Sequence, residues 1–222
     1  MLSKMLTGSM MLGGIILGVV MVILEPSVSE TETFAVAAQN LIANKTQTVL
    51  FGAGFTVGSL AALIGTAYFA RSMQGENKLG SDLAGLASIL AILSAVVLTI
   101  SSTLRMSVVE ATYTDRGADT AVAYALSEGM WNGSFLFIGA AIFFLGIAIV
   151  RQKNLNWIVG AITGLFGVFL LIGMLGPHGD PGLDSTSTAE AIGGILWFLG
   201  FIGWAVMTMV IGGILIKQTR AS

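Results

Sequence analysis

Long apolar runs separated by short polar segments dominate the pattern of this chain. The runs are continuously apolar rather than alternating in polarity, which favours membrane-spanning helices over the strands of a β-barrel. A helix needs about 20 residues to cross roughly 30 Å of hydrocarbon, and six runs come close to or exceed that length. The sequence therefore predicts an all-α fold, a polytopic six-helix bundle that forms one transmembrane domain over residues 1–222. The predicted spans are 6–24, 49–70, 83–102, 131–150, 155–175 and 191–216.

The first run has a second interpretation, as a secretory signal peptide with Lys4 before it and a poor cleavage site at residues 27–29 after it. Its apolar stretch is longer than the 7–15 residues of a typical signal core. We therefore expect a retained membrane span.

The basic residues predict the orientation of the bundle. Seven of the ten lie in the N-terminus, the second and fourth loops and the C-terminus, which sum to a net charge of +5. The other three loops sum to −7. Because basic residues are enriched on the cytoplasmic side, we expect a cell-membrane protein with both termini in the cytoplasm.

Two of the outer loops have a helical pattern of their own. Ser29 and Glu32 fit a capping box that leads into an apolar helical face over residues 34–43. A second candidate covers residues 119–128. We expect short amphipathic helices on the outer interface at both places.

Composition excludes a soluble domain and several kinds of functional site. Hydrophobic residues make up 55% of the chain, charged residues 10%, and the mean hydropathy is +0.89, whereas soluble domains carry about 25% charge. The chain has no cysteine, which excludes disulfides, thiolate metal sites and cysteine nucleophiles.

Ionisable residues are absent from the middle of all six predicted spans. Glu25, Arg105, Glu128 and Glu190 lie at the outer ends, where we expect their charged groups to reach water. Proton- and ion-coupled transporters usually place such groups near the midplane, so the pattern favours a bundle without ion coupling. A sodium site built from carbonyl and hydroxyl oxygens remains open.

The fifth loop holds the only weak metal-ligand candidates, His178, Asp180 and Asp184. One histidine and scattered carboxylates in a Gly/Pro-rich turn make a poor site for zinc or copper. We expect a solvated acidic loop, no bound metal and no cofactor.

Aromatic residues mark one face of the sixth span. Trp197, Phe201 and Trp204 follow i, i+4, i+7 spacing. This face is either a platform for a lipid tail or another hydrophobic ligand, or ordinary packing.

Glycines recur at four-residue spacing, which lets helix backbones approach closely in lipid. We expect most of these pairs to pack within the chain, and the first pair to contact another polypeptide because a long loop leaves the first helix free to lie peripherally. The pairs are Gly14/Gly18, Gly54/Gly58 and Gly160/Gly164.

Two segments carry a family resemblance. Residues 34–69 combine a short outer helix, the Ala43-Asn44-Lys45-Thr46-Gln47-Thr48-Val49-Leu50 junction and a glycine-rich span, and residues 154–160 read Asn-Leu-Asn-Trp-Ile-Val-Gly. These features resemble a family of small prokaryotic six-helix membrane proteins of unknown function. The third span departs from that pattern, with Ser, Thr and aliphatic residues where an Arg-x-x-Glu step is expected. The resemblance implies an architecture and no catalytic residues.

These patterns favour a structural, accessory or regulatory subunit of a membrane complex. Its partners would be membrane lipid and other membrane chains or further copies of itself, and not nucleic acid. The alternative is a facilitator or channel for a small neutral or hydrophobic solute, which a water-lined groove along Ser94, Thr99, Ser101 and Ser102 would favour. An enzyme is not expected, because no acid–base pair or activated nucleophile stands out at membrane depth.

Overall fold

The computed structural model describes residues 3–26, 33–110, 115, 117–176 and 188–220. The regular secondary structure of the described residues is all α-helix, and six of the seven helices are long and apolar enough to cross a membrane. The predicted all-α transmembrane architecture is thus confirmed, and the chain is a multi-pass membrane protein. The helices are α1 (Lys4–Val22), α2 (Phe34–Ala43), α3 (Lys45–Ser72), α4 (Ser81–Ser107), α5 (Thr120–Gln152), α6 (Trp157–Leu175) and α7 (Thr188–Arg220).

The six long helices form a closed ring. Each packs on the next one along the chain, and α7 returns to pack on α1, so that every long helix has two main neighbours, while α5 also touches α7 across the ring. The short fourth loop makes α5 and α6 antiparallel neighbours, as expected from its length. The ring has two ends. We call the end with Lys4, Arg71 and Arg151 the basic end, and the opposite end, with Glu25 and Glu128, the acidic end.

The interior of the ring is packed in layers. The layer at the basic end consists of aliphatic, alanine and phenylalanine side chains from all six long helices, among them Met11, Phe69 and Leu145. A second layer, nearer the acidic end, is rich in aromatic rings and has Phe135 and Trp204 at its centre. A third layer at the acidic end places α2 against the ends of α4 and α5.

The helix α2 begins at a different cap from the predicted one. The Thr33 hydroxyl accepts a hydrogen bond from the Val36 amide at 3.4 Å, while Ser29 and Glu32 lie outside the described residues. Ala37, Ala38 and Leu41 are buried, so α2 packs on the bundle by the face that the sequence pattern indicated.

The predicted separate helix over residues 119–128 is wrong, because this segment is the first part of α5. Asp119 caps the helix by accepting hydrogen bonds from the Ala121 and Val122 amides at 3.0 and 3.1 Å. No proline follows until after Gln152, so nothing interrupts the helix where the loop was expected to meet the membrane. This extension carries Tyr124 and Glu128 on a continuous helix.

Candidate functional site

A buried arginine lies at the acidic end of the bundle. Arg105 is in the last turn of α4, and only 7% of the residue is exposed. Its Nη1 lies 2.9 Å from Oε1 of Glu25, just after α1, and 3.7 Å from Oε1 of Glu128 in α5. One guanidinium therefore connects three segments of the ring, and two carboxylates face a single positive charge.

Two aromatic rings complete the surroundings of this arginine. Its guanidinium carbon lies 5.0 Å from the ring centre of Phe51 in α3 and 5.8 Å from that of Tyr124 in α5. A cation within about 6 Å of an aromatic face is attracted by the negative potential of the ring. We refer to Arg105, Glu25, Glu128, Phe51 and Tyr124 as the Arg105 centre.

The short helix α2 covers part of this centre. Phe34 meets Tyr124 edge-to-face at 5.9 Å, and the buried face of α2 packs with Val108, Val109 and Tyr124. The junction with α3 is fixed by the Thr48 hydroxyl, which donates to the Leu41 carbonyl oxygen at 3.1 Å. The packing of α2 thus covers Tyr124, one of the two rings beside the arginine.

The expectation that all four outer-end charges reach water is wrong for Arg105. The side chains of Glu25 and Glu128 keep 36% and 29% of their surface exposed, whereas that of Arg105 keeps 8%. Taking a charge out of water is costly unless it is paired, and here the pairing carboxylates come from α1 and α5. The Nε atom of Arg105 and the Ser127 hydroxyl are buried without a hydrogen-bond partner among the described residues.

The predicted aromatic face of the last span packs toward the interior of the ring. Trp197 and Phe201 are stacked at 5.6 Å with an interplanar angle of 4°, and Trp204 is 4% exposed. All three rings surround Phe135 of α5, which is fully buried. Phe135 was not singled out from the sequence, where it is one of twelve phenylalanines and lacks a distinctive local pattern.

The serine residues that would have traced a water-lined groove instead join α4 to α5. The Ser94 hydroxyl donates to the Ser134 carbonyl oxygen at 3.2 Å, and the Ser101 hydroxyl donates to the Ser127 carbonyl oxygen at 2.9 Å. Thr99 donates to the Ala95 carbonyl oxygen in its own helix, and Ser102 is buried. The hydrogen bonds of Ser94 and Ser101 are therefore interhelical contacts.

The first predicted glycine pair packs inside the chain. A Cβ atom added to Gly14 would lie 2.5 Å from the Gly58 carbonyl oxygen and the Ala62 nitrogen of α3, and Gly18 faces the Phe55 ring. The expectation that this face meets another polypeptide is wrong, because α3 already covers it. The first helix is held in the ring between α3 and α7.

The other predicted glycines also face neighbouring helices of the chain. Gly54 faces Met21 of α1, and a Cβ atom on Gly160 would lie 2.8 Å from the Gly146 carbonyl oxygen. Gly164 contacts the same Gly146 backbone. Gly146 itself was not among the predicted residues, although Gly139 and Gly146 recur at seven-residue spacing on α5 and face the glycines of α6.

The candidate metal ligands His178, Asp180 and Asp184 lie outside the described residues. Within the residues that the structure describes, no group of three or more potential ligands is close enough to hold a metal ion.

Comparison with known proteins shows the family. Residues 6–208 match DUF4386, a domain of unknown function, and the chain belongs to this family. The predicted resemblance to a family of unknown function is thereby confirmed. Searches of curated proteins and of solved structures gave no match.

Proposed function

We propose that the chain is a structural or accessory subunit of a membrane assembly, and that it presents the acidic-end half of α5 to a transmembrane helix of another chain. The observation that carries this proposal is a glycine pair that the ring does not use. A Cβ atom added to Gly129 or Gly133 would meet nothing within 4 Å in the described part of the chain.

The surroundings of this pair suit contact with a helix. Val122 and Leu126, on the same side of α5, are 54% and 52% exposed, and Asn132 is an exposed amide between the two glycines. Glycines four residues apart allow close backbone approach in lipid, and asparagine side chains form hydrogen bonds between helices. The face therefore combines a shallow groove, apolar side chains and a polar group.

The interior of the bundle supports a structural role. Its aromatic layer fills the ring around Phe135, and the Ser94 and Ser101 hydroxyls are bonded to carbonyl oxygens of α5. The Arg105 centre ties α1, α4 and α5 together at the acidic end. These contacts favour a rigid bundle whose outer surface is available for association.

The test is a double substitution, Gly129→Leu with Gly133→Leu, in the full chain in its native membrane. A photocrosslinker at Leu126 should give an adduct with one defined chain, and the double variant should lose it. Gly13→Leu is the matched control, because Gly13 is also exposed with open space around it, and it should leave the adduct unchanged. A wild-type chain without an adduct, or an adduct that survives the double substitution, contradicts the proposal.

The second candidate is a facilitator for a small neutral or hydrophobic solute. It is favoured by three buried polar atoms without a hydrogen-bond partner in the described residues, Arg105 Nε, Ser127 Oγ and Trp204 Nε1. Proteoliposome swelling with glycerol or urea tests it. A permeability above that of protein-free vesicles, which falls when Phe135 is replaced by Trp, would place this function ahead of assembly.

We further propose that the protein lies in the cell membrane with both termini in the cytoplasm. The excess of basic residues at the basic end supports this orientation. The chain has no cysteine, so single substitutions can be labelled in intact cells with an impermeant thiol reagent. Thr31→Cys should be labelled and Lys78→Cys protected. The reverse pattern would invert the orientation.

A further inference from the structure

A cavity opens at the basic end, on the side of the ring opposite to α5. It has a volume of about 430 Å³, which lies within the range of about 300–1,000 Å³ that is usual for small-molecule sites. Its lining comes from α1, α3, the loop after α3 and α7, and consists of Lys4, Thr7, Tyr68, Phe69, Arg71, Ser72, Gln74, Gly75 and Leu215.

The chemistry of this lining suits an anion with several oxygen acceptors. Lys4 and Arg71 supply two positive charges, and none of the described lining residues is acidic. Tyr68 and Gln74 add a phenol and an amide that can donate hydrogen bonds. The Ser72 hydroxyl already donates to the Phe69 carbonyl oxygen at 2.6 Å, which leaves its oxygen as an acceptor only.

A third positive charge lies beside the cavity. The Lys78 ammonium donates to the Ser72 and Gln74 carbonyl oxygens at 3.3 and 3.2 Å, so it is held over the loop that forms one wall. Glu76 is in the same loop but does not line the cavity. The local charge is therefore positive at the cavity and its rim.

The cavity also has an apolar wall. Phe69 and Leu215 are each 4% exposed and lie among the lining residues. The cavity lies at the ends of three helices that are long and apolar enough to span a membrane, where the headgroups of a surrounding bilayer would meet the hydrocarbon. A free anion in water gains nothing from such a wall, whereas a phospholipid has a phosphate next to an apolar tail.

We infer that this cavity binds the phosphate group of an anionic phospholipid, with Lys4 and Arg71 as its principal contacts. Basic pockets between transmembrane helices are known to bind such headgroups. This inference does not depend on the proposed function, because the cavity lies on α1, α3 and α7, away from the exposed glycines of α5.

The experiment measures lipid binding to the purified full chain by native mass spectrometry, with phosphatidylglycerol and phosphatidylcholine compared at equal concentration. The wild type should prefer phosphatidylglycerol. Lys4→Gln with Arg71→Gln should weaken phosphatidylglycerol binding by about 30-fold, since each cation near an anionic lipid contributes a factor of about five.

The matched control is Arg151→Gln with Lys153→Gln. It removes the same charge from the same end of the bundle, but both residues lie at the α5–α6 connection and outside the cavity. Binding should change less than threefold. An equal loss in both double variants, or equal binding of the two lipids by the wild type, overturns the inference.

Two further arms keep the test decisive. In the first arm, inorganic phosphate and glycerol 3-phosphate are added to the wild type and its thermal midpoint is measured. Stabilisation by these ions without a preference for phosphatidylglycerol would assign the cavity to a soluble phosphate and overturn the lipid assignment.

If the double variant does not fold, Arg71→Lys and Tyr68→Phe are measured instead. Arg71→Lys should keep most of the binding and Tyr68→Phe should lose part of it, whereas unchanged binding in both would count against the site.

Discussion

The two ends of the bundle handle positive charge in opposite ways. At the acidic end, Arg105 is buried, faces two carboxylates and lies against two aromatic rings. At the basic end, Lys4 and Arg71 are exposed on the wall of a cavity, and neither has an ion pair in the residues that the structure describes. A basic side chain is thus buried in ion pairs at one end of the bundle, whereas two basic side chains are available to bind a ligand at the other.

The difference follows from what covers each end. The acidic end has α2 and the extended first part of α5 as additional helical structure. The α5 extension supplies Glu128 and Tyr124 to the arginine, and α2 packs on Tyr124. The basic end has tight connections, such as that between α5 and α6, which cannot cover it. One contact closes part of it, where the Gln152 amide donates to the Met73 carbonyl oxygen at 2.6 Å.

The largest effect is expected from removing the buried charge. Arg105→Met should lower the free energy of unfolding by about 3 kcal/mol, near the lower limit for breaking a buried ion pair, because both carboxylates keep some access to water. Unfolding in detergent with increasing denaturant measures this. Arg71→Gln at the other end should change stability by less than about 0.5 kcal/mol.

A compensating variant separates charge from packing in this result. Arg105→Met combined with Glu25→Gln and Glu128→Gln leaves no charge at the centre and should recover a large part of the lost stability. If the triple variant is as unstable as Arg105→Met alone, the loss comes from packing, and the contrast between the two ends is not one of charge.

The next effect concerns the contact that holds α1 in the ring. Gly14→Leu should destabilise the bundle by about 2 kcal/mol, since the added side chain meets the α3 backbone and forces the helices apart. Gly13→Leu, one residue earlier on the same helix, meets open space and should be nearly neutral. Equal effects in a thermal-shift assay would show that α1 does not pack as described.

A smaller effect should distinguish the two carboxylates. Glu25 lies closer to the guanidinium than Glu128 does, so Glu25→Gln should cost about 1 kcal/mol through the loss of a charge-assisted hydrogen bond. Glu128→Gln should cost less than half of that, because its carboxylate lies 3.7 Å from the guanidinium, beyond hydrogen-bond distance. The reverse order in denaturant unfolding would mean that Glu128 is the main partner of Arg105.

The smallest effect is expected from the serine contacts between α4 and α5. Ser94→Ala and Ser101→Ala should each cost about 0.6 kcal/mol, the average for an interhelical hydrogen bond in a membrane protein. Thr103→Ala is the control, because its hydroxyl is exposed and bonds the Thr99 carbonyl oxygen in the same helix. A loss well above 1 kcal/mol at either serine would indicate a wider polar network than the one described.

Much of the architecture was readable from the sequence because it depends on local hydrophobicity. Four of the six predicted spans lie within one long helix each, and the other two, 6–24 and 155–175, extend beyond α1 and α6 by two residues. The helical face over residues 34–43 is the one that α2 buries. The continuity of α5 was missed because Ser127, Glu128 and Gly129, near the junction of the predicted short helix and the predicted span, look like a break, although no proline interrupts the helix there.

The Arg105 centre could not be derived in the same way, because its burial depends on contacts between segments far apart in sequence. Phe51, Tyr124 and Glu25 come from three different helical regions, and none has a local pattern that points to Arg105. The sequence also could not predict which helix packs on Gly14, since a glycine pair indicates that some helix approaches closely but does not identify it. Gly139 and Gly146 of α5 could have been predicted from the sequence, because their seven-residue spacing matches that of the glycines on α6.

The closure of the ring between α1 and α7 has a consequence for biogenesis. A Cβ atom on Gly8 would lie 2.5 Å from the Gly212 carbonyl oxygen, so the first helix reaches its final neighbour only after about 200 further residues have been made. At roughly 5–20 residues per second, the ribosome needs on the order of 10 to 40 s for that stretch. Until α7 is made, the face of α1 that carries Gly8 lacks its neighbour within the chain, and a chain truncated before α7 would leave this face exposed to lipid.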